Sequence, residues 1–124
     1  MRLVNNMLIA LKNASLAEKL EFEVSTSGLV EKVLFILYKE GAIRGFVHVP
    51  IGNKVRVLIR PQMFELFRYM DVVTQSSRSS YADLPSVKRL DARTYFGVIS
   101  TTKGLMTLKR ARQCGVGGRV LFTF

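Results

Sequence analysis

The sequence predicts an α+β fold of two small packed domains: an N-terminal α-β-α-β-β unit over residues 1–61 and a mostly β C-terminal unit with one short helix over residues 62–124. Three observations predict it. Apolar residues recur twice at helical spacing early in the chain. Alternating apolar runs then take over, and Pro61 interrupts the last of them. With 48% apolar residues in 124, the chain is rich enough in Leu, Ile, Val and Phe to build a core.

The elements follow in order. Leu3, Met7, Leu8 and Leu11 share one helical face, which places a first helix over residues 3–14. Phe22 and Val24 alternate with polar residues in a short strand, Glu21–Ser25. The Ser25-Thr26-Ser27-Gly28 cluster is a turn suited to capping the next helix, which carries Leu29, Val30, Val33, Leu34, Ile36 and Leu37. Gly41 ends that helix in the left-handed region, where a side chain would be costly. Ile43–Val49 and Lys54–Arg60 read as strands joined by Pro50-Ile51-Gly52-Asn53.

Beyond Pro61 the pattern weakens. Residues 62–76 fit a short helix or a strand, residues 75–80 form a polar loop, and the stretch that follows is poorly patterned. Tyr95–Ile99 is an expected strand and Ser100–Gly104 an expected loop. Thr107 caps a short helix, Leu108–Cys114, that Gly115 stops. Arg119–Phe124 is a closing strand with Val120, Phe122 and Phe124 expected on one face.

Charge narrows the function. Lys and Arg number 19 against 9 Asp and Glu, a net charge of +10. Residues 1–71 carry 10 basic and 7 acidic residues, whereas residues 72–124 carry 9 and 2. No side-chain carboxylate follows Asp91, yet Arg93, Lys103, Lys109, Arg110, Arg112 and Arg119 do. Such segregation points to a polyanionic partner; a face kept basic only for solubility would not need to exclude one sign.

Other chemistries find little support. One cysteine, Cys114, excludes an internal disulfide and a Cys-based zinc cluster; one histidine, His48, excludes a multi-His metal site. A Cys–His nucleophilic pair would need those two to meet in space. Cys114 reads better as a small buried residue at a helix end, and His48 as a satisfied core or edge residue. No apolar run reaches the roughly 18 residues of a membrane span, and no acid/base couple stands out. No cofactor, metal or small-molecule substrate is expected.

The candidate binding residues are hydroxyls beside cations. Ser100, Thr101 and Thr102 with Lys103 and Gly104 can meet phosphate, ribose or base edges, and Lys109, Arg110 and Arg112 follow within two helical turns. The expected arrangement brings that loop and those cations onto one patch. Ser77 and Arg78 repeat the pairing, and Tyr81 could stack on a base or simply pack. Gly115-Val116-Gly117-Gly118 lacks the spacing of a phosphate loop and follows a helix, so it reads as tight helix-to-strand geometry.

Val98-Ile99-Ser100-Thr101-Thr102-Lys103-Gly104-Leu105-Met106-Thr107, with Ala111-Arg112-Gln113 and Gly115-Val116-Gly117-Gly118, resembles the closing signature of the small-subunit ribosomal protein eight family. Met7-Leu8, Lys12-Asn13, Leu37, Lys39-Glu40-Gly41, Ile43 and Ser77-Arg78 resemble its other motifs. The resemblance implies binding to the central domain of small-subunit ribosomal RNA, support of platform assembly, and contacts with neighbouring small-subunit proteins. It implies that the hydroxyl loop enters an RNA minor groove and that Lys12, Asn13, Thr26 and Ser27 add contacts.

Departures from the family pattern stand at Gly28, Ser79-Ser80, Arg93-Thr94-Tyr95-Phe96 and Arg119. They suggest a divergent, mitochondrial member; a bacterial or plastid one is the alternative. The rival readings are a basic protein docking on anionic membrane or on another RNA, and an enzyme acting on RNA or nucleotides. The cations sit on a helix-loop-strand unit rather than one amphipathic helix, which disfavours the membrane.

Overall fold

A computed structural model describes residues 2–72 and 81–124. The chain is α+β and divides into two compact units, Met1–Tyr69 and Met70–Phe124. The expected boundary after Pro61 falls earlier than this one, for a physical reason. Pro61–Met63 forms a 3-10 turn leading into a helix, α3 (Phe64–Arg68), that packs on the first helix, and Arg68 reaches Glu18 at 3.7 Å.

In the first unit the element order matches the expectation. Helix α1 (Arg2–Leu16) buries Val4, Met7, Leu8, Leu11 and Ala14 along one stripe. Helix α2 (Gly28–Lys39) buries Val30, Val33, Leu34 and Leu37. Ser27 caps it, accepting a hydrogen bond from the Val30 amide at 3.2 Å, and Gly41 turns out of it with φ +76°. Strands β1 (Glu21–Ser25), β2 (Ile43–His48) and β3 (Lys54–Ile59) form an antiparallel sheet in the order β1-β3-β2. Val55, Val57 and Ile59 are buried, while Arg56 between them faces outward and bonds Glu23 at 2.8 Å. Helix α1 packs against β1 and α2, and α2 packs against β2.

The second unit holds a four-stranded antiparallel sheet. Strands β4 (Tyr81–Ala82), β5 (Gly97–Thr101), β6 (Gly104–Thr107) and β7 (Gly118–Thr123) lie in the order β4-β7-β5-β6. Asp71 and Thr123 exchange backbone hydrogen bonds of 2.8 and 3.0 Å, which ties the chain after Tyr69 to the end of β7. Helices α4 (Leu84–Arg93) and α5 (Leu108–Cys114) pack together on the sheet. Val87, Leu108 and Ala111 join Ala82, Ile99 and Val120 in one core cluster.

The second unit corrects four expectations. Helix α4 occupies the poorly patterned stretch; Asp83 caps it, accepting from the Ser86 amide at 3.0 Å. The expected strand at Tyr95 begins two residues later and runs through Ser100 and Thr101, which leaves a two-residue turn, Thr102-Lys103, rather than a five-residue loop. Strand β6 occupies Gly104–Thr107, where no strand was expected. Finally, Val120 and Phe122 do not share a face. The register between β5 and β7 shifts between Val98 and Ile99, so Val120 lies opposite Ile99 and Phe122 opposite Val98. One extra residue in a strand reverses its alternation from that point on. Phe122 instead joins an aromatic group with Phe96 and Phe124.

Candidate nucleic-acid interface

The β5–β6 hairpin carries the hydroxyl motif. Thr101 lies opposite Gly104 and Ser100 opposite Leu105, so the two-residue turn projects Thr102 and Lys103, both exposed. Thr101 organises the turn. Its Oγ1 donates to the Gly104 carbonyl at 2.9 Å and accepts from the Lys103 amide at 3.1 Å. Gly104 has φ +108°, a value open to glycine and strained for other residues. Thr101 is therefore the strut of the motif, and Thr102 and Lys103 are its presented groups.

Ser100 belongs to a row that crosses the sheet. Residues directly opposite one another in antiparallel strands share a face. Tyr81 lies opposite Arg119, Arg119 opposite Ser100, and Ser100 opposite Leu105. One face thus presents a phenol, a guanidinium and a hydroxyl side by side. Arg119 is exposed and Tyr81 is 69% exposed. Neighbours along each strand point the other way, and Ala82, Val120 and Ile99 are those neighbours; all three lie in the core beneath α4 and α5.

That geometry splits the expected patch. Helix α5 packs on the Ile99 face, with Leu108 and Ala111 buried there. Lys109, Arg110 and Arg112 are exposed on its outer side, so they stand across the sheet from Ser100 rather than beside it. Arg112 also pairs with Asp91 of α4 at 3.2 Å, which offsets part of its charge. Thr107 caps α5, accepting from the Arg110 amide at 3.1 Å, and Gly115 ends it with φ +70°. Cys114 at that helix end is half-buried rather than buried.

Sequence reasoning missed Arg119 as a candidate. The available signal was its place in an apolar strand between Gly118 and Val120, where alternation turns a lone cation outward. Gly117 and Gly118 confirm tight geometry in the glycine run. A Cβ on Gly117 would collide with the Ala82 carbonyl, and one on Gly118 with the Ser100 carbonyl.

In the first unit, Lys12 is half-buried and Asn13 exposed on the last turns of α1. Thr26 is only 2% exposed, and its hydroxyl lies 3.4 Å from Glu31 Oε2. Its carbonyl accepts from Asn53 and its amide donates to Asn53, each at 3.0 Å. Thr26 and the capping Ser27 thus hold the turn itself, with Thr26 buried and Ser27 half-buried. His48 is an exposed edge residue whose Nε2 lies 3.0 Å from Glu31 Oε1. Ser77 and Arg78 lie outside the described residues. Among the described residues no cluster of His, Cys, Asp or Glu could hold a metal, and no helix is long and apolar enough to cross a membrane.

Fold and site together define a basic α+β protein whose second unit sets cations and hydroxyls along a sheet face and a hairpin tip. The chain belongs to the ribosomal protein S8 family, whose family model matches residues 3–124. It is similar to small ribosomal subunit protein uS8 of Nitrosomonas europaea, 33% identical over an alignment 124 positions long, gaps included, that covers 95% of this chain and 92% of that one. The uS8 protein of Salinibacter ruber is 30% identical over 122 residues, covering 95% and 92%. That of Thermus thermophilus is 26% identical over 129 residues, covering 95% and 94%.

Proposed function

We propose that this chain is a structural, non-enzymatic constituent of the small ribosomal subunit that holds small-subunit ribosomal RNA. The observation that carries the reading is the row Tyr81–Arg119–Ser100 beside the Thr102-Lys103 tip. The phenol suits stacking on an unpaired base, the guanidinium suits a phosphate, and the hydroxyls suit ribose and base edges. Lys109, Arg110 and, in part, Arg112 supply charge on the far side of the sheet, where they raise affinity without setting register. Lys12 and Asn13 add contacts from the first unit. We assign the RNA site to the central domain of that RNA, with a role in platform assembly alongside neighbouring proteins, on the strength of the family signature.

The departures at Gly28 and Arg119 from that signature support a mitochondrial member. Localisation of a tagged chain tests it, and a plastid or bacterial address would overturn it. The function itself is tested by sedimentation and crosslinking. The chain should travel with small-subunit particles and crosslink to their RNA through Tyr81, Thr102 or Arg119. With about six to eight phosphates neutralised, raising salt from roughly 50 to 200 mM should weaken binding by about a thousandfold. A flat salt response, or absence from the particles, would overturn the reading.

A further inference from the structure

The sheet of the first unit has two outer edges, and they differ. Strand β1 carries Glu21, Glu23 and Ser25, all exposed, and its two carboxylates lie 3.8 and 2.8 Å from Arg56. Charge of this kind is how natural sheets discourage pairing at an open edge. Strand β2, Ile43–His48, contains no carboxylate and shows Val47 51% exposed.

A groove of about 440 Å³ runs along β2, lined by Phe35, Tyr38, Arg44, Phe46, Val47 and Leu58 among others. Its walls stand on both faces of the sheet. Phe46 lies opposite Val57 on the core side, below Phe35 and Tyr38 of α2, while Val47 lies opposite Arg56 on the open side. A groove that takes in both faces of an outermost strand follows that strand's backbone.

The backbone pattern gives the edge its donors and acceptors. The Val49 amide donates to the Lys54 carbonyl at 3.1 Å, so Val49 and, two residues earlier, Val47 bond inward to β3. Antiparallel alternation then turns the N–H and C=O of Phe46 and His48 outward. Phe35 is 53% and Tyr38 48% exposed beside them. Among the described residues of the groove wall Arg44 is the only ionic group, and Lys39 stands with its Nζ 5.9 Å from the Phe35 ring.

We propose that the β2 edge takes an extended, carboxylate-bearing segment of a neighbouring small-subunit protein as a fourth strand of this sheet. Main-chain hydrogen bonds to Phe46 and His48 would hold the segment. Its successive side chains would fall on opposite faces, apolar ones covering Phe35 on the helix side and Val47 on the open side, and a carboxylate would meet Arg44. An RNA strand fits less well: the Tyr38 phenol is the one hydroxyl in the described wall, and the outward N–H and C=O groups of Phe46 and His48 alternate as another β-strand requires, a pattern an RNA backbone does not match. The inference rests on the reading of the chain as a small-subunit protein.

The test places the photocrosslinker p-benzoylphenylalanine at Val47, and as a control at Glu21, in chains recovered within small-subunit particles. The expected result is a ribonuclease-resistant adduct from position 47 alone. The attached peptide should contain Asp or Glu, and the Phe46 and His48 amides should exchange slowly in the particle. Arg44→Glu should reduce the adduct about tenfold, through like-charge repulsion, in chains that still enter the particle. A ribonuclease-sensitive adduct would make the groove an RNA contact and overturn the proposal. So would no adduct from chains present in particles, or equal adducts from both positions. Absence of the chain from particles would instead overturn the ribosomal reading, and this inference with it.

Discussion

Replacing Gly118 by alanine should damage both the fold and the binding face. A Cβ at that position points at backbone, not at a side chain that could turn away. It would overlap the Ser100 carbonyl oxygen and lie 3.0 Å from its carbon and 3.1 Å from Thr101 Cα. Strand β5 would have to retreat by on the order of 1 Å to restore ordinary contact distances. Overpacking of this kind costs about 1–3 kcal/mol, and two stretched ladder hydrogen bonds add about 1 kcal/mol each if lost. The expected total is about 3–5 kcal/mol with both bonds lost. At roughly 4 °C per kcal/mol for a chain of this size, the melting temperature should fall by about 12–20 °C. Circular dichroism measures that fall. Filter binding well below the transition should then show weakened RNA affinity, because Ser100 and Arg119 no longer keep their spacing. A shift under about 2 °C with unchanged affinity would refute the assignment of Gly118 as the close-approach point between β7 and β5.

Three further expectations use the same reasoning. Ser100→Ala with Thr102→Ala should weaken RNA binding while leaving the melting temperature nearly intact, since Thr101 holds the turn; loss of fold would make those hydroxyls architectural. Arg119→Ser should cost about tenfold in affinity and lower the salt slope by about one unit, with Lys109→Ser costing less, as titrations at several salt concentrations would reveal; the reverse order would move the interface to the α5 side. The Ser86 hydroxyl and amide hold the Asp83 carboxyl below its ordinary range. The native state therefore binds fewer protons there, and its capping contribution, complete above about pH 4, is lost as pH falls through the lowered value. Melting curves of the wild type should drop more steeply below about pH 4 than those of Asp83→Asn, and parallel curves would remove Asp83 from the acid response.

Local signals determined much of this protein. Helical spacing and caps placed α1, α2 and α5, because Ser27, Gly41, Thr107 and Gly115 act on backbone within a few residues of themselves. The carboxylate-free stretch after Asp91 marked the second half as the one suited to a polyanion. Helix α4 was harder to read. Only Val87 in it is fully buried, and its clearest signals, the Asp83 cap and Pro85 in the first turn, lie outside any apolar stripe. Strand β6 is four residues long, too short to show a period.

What surrounds each residue was decided by the tertiary structure. Alternation shows that Ser100 and Ile99 point oppositely; it does not show which of the two lies under α5. Packing of Leu108 and Ala111 against Ile99 made that choice, and so separated Ser100 from Lys109 and joined it to Arg119 and Tyr81. The bulge at Leu121 sent Phe122 to the face opposite Val120. Periodicity is a property of a few consecutive residues, whereas a shared face depends on pairing between strands distant in sequence, and only the folded chain brings those together.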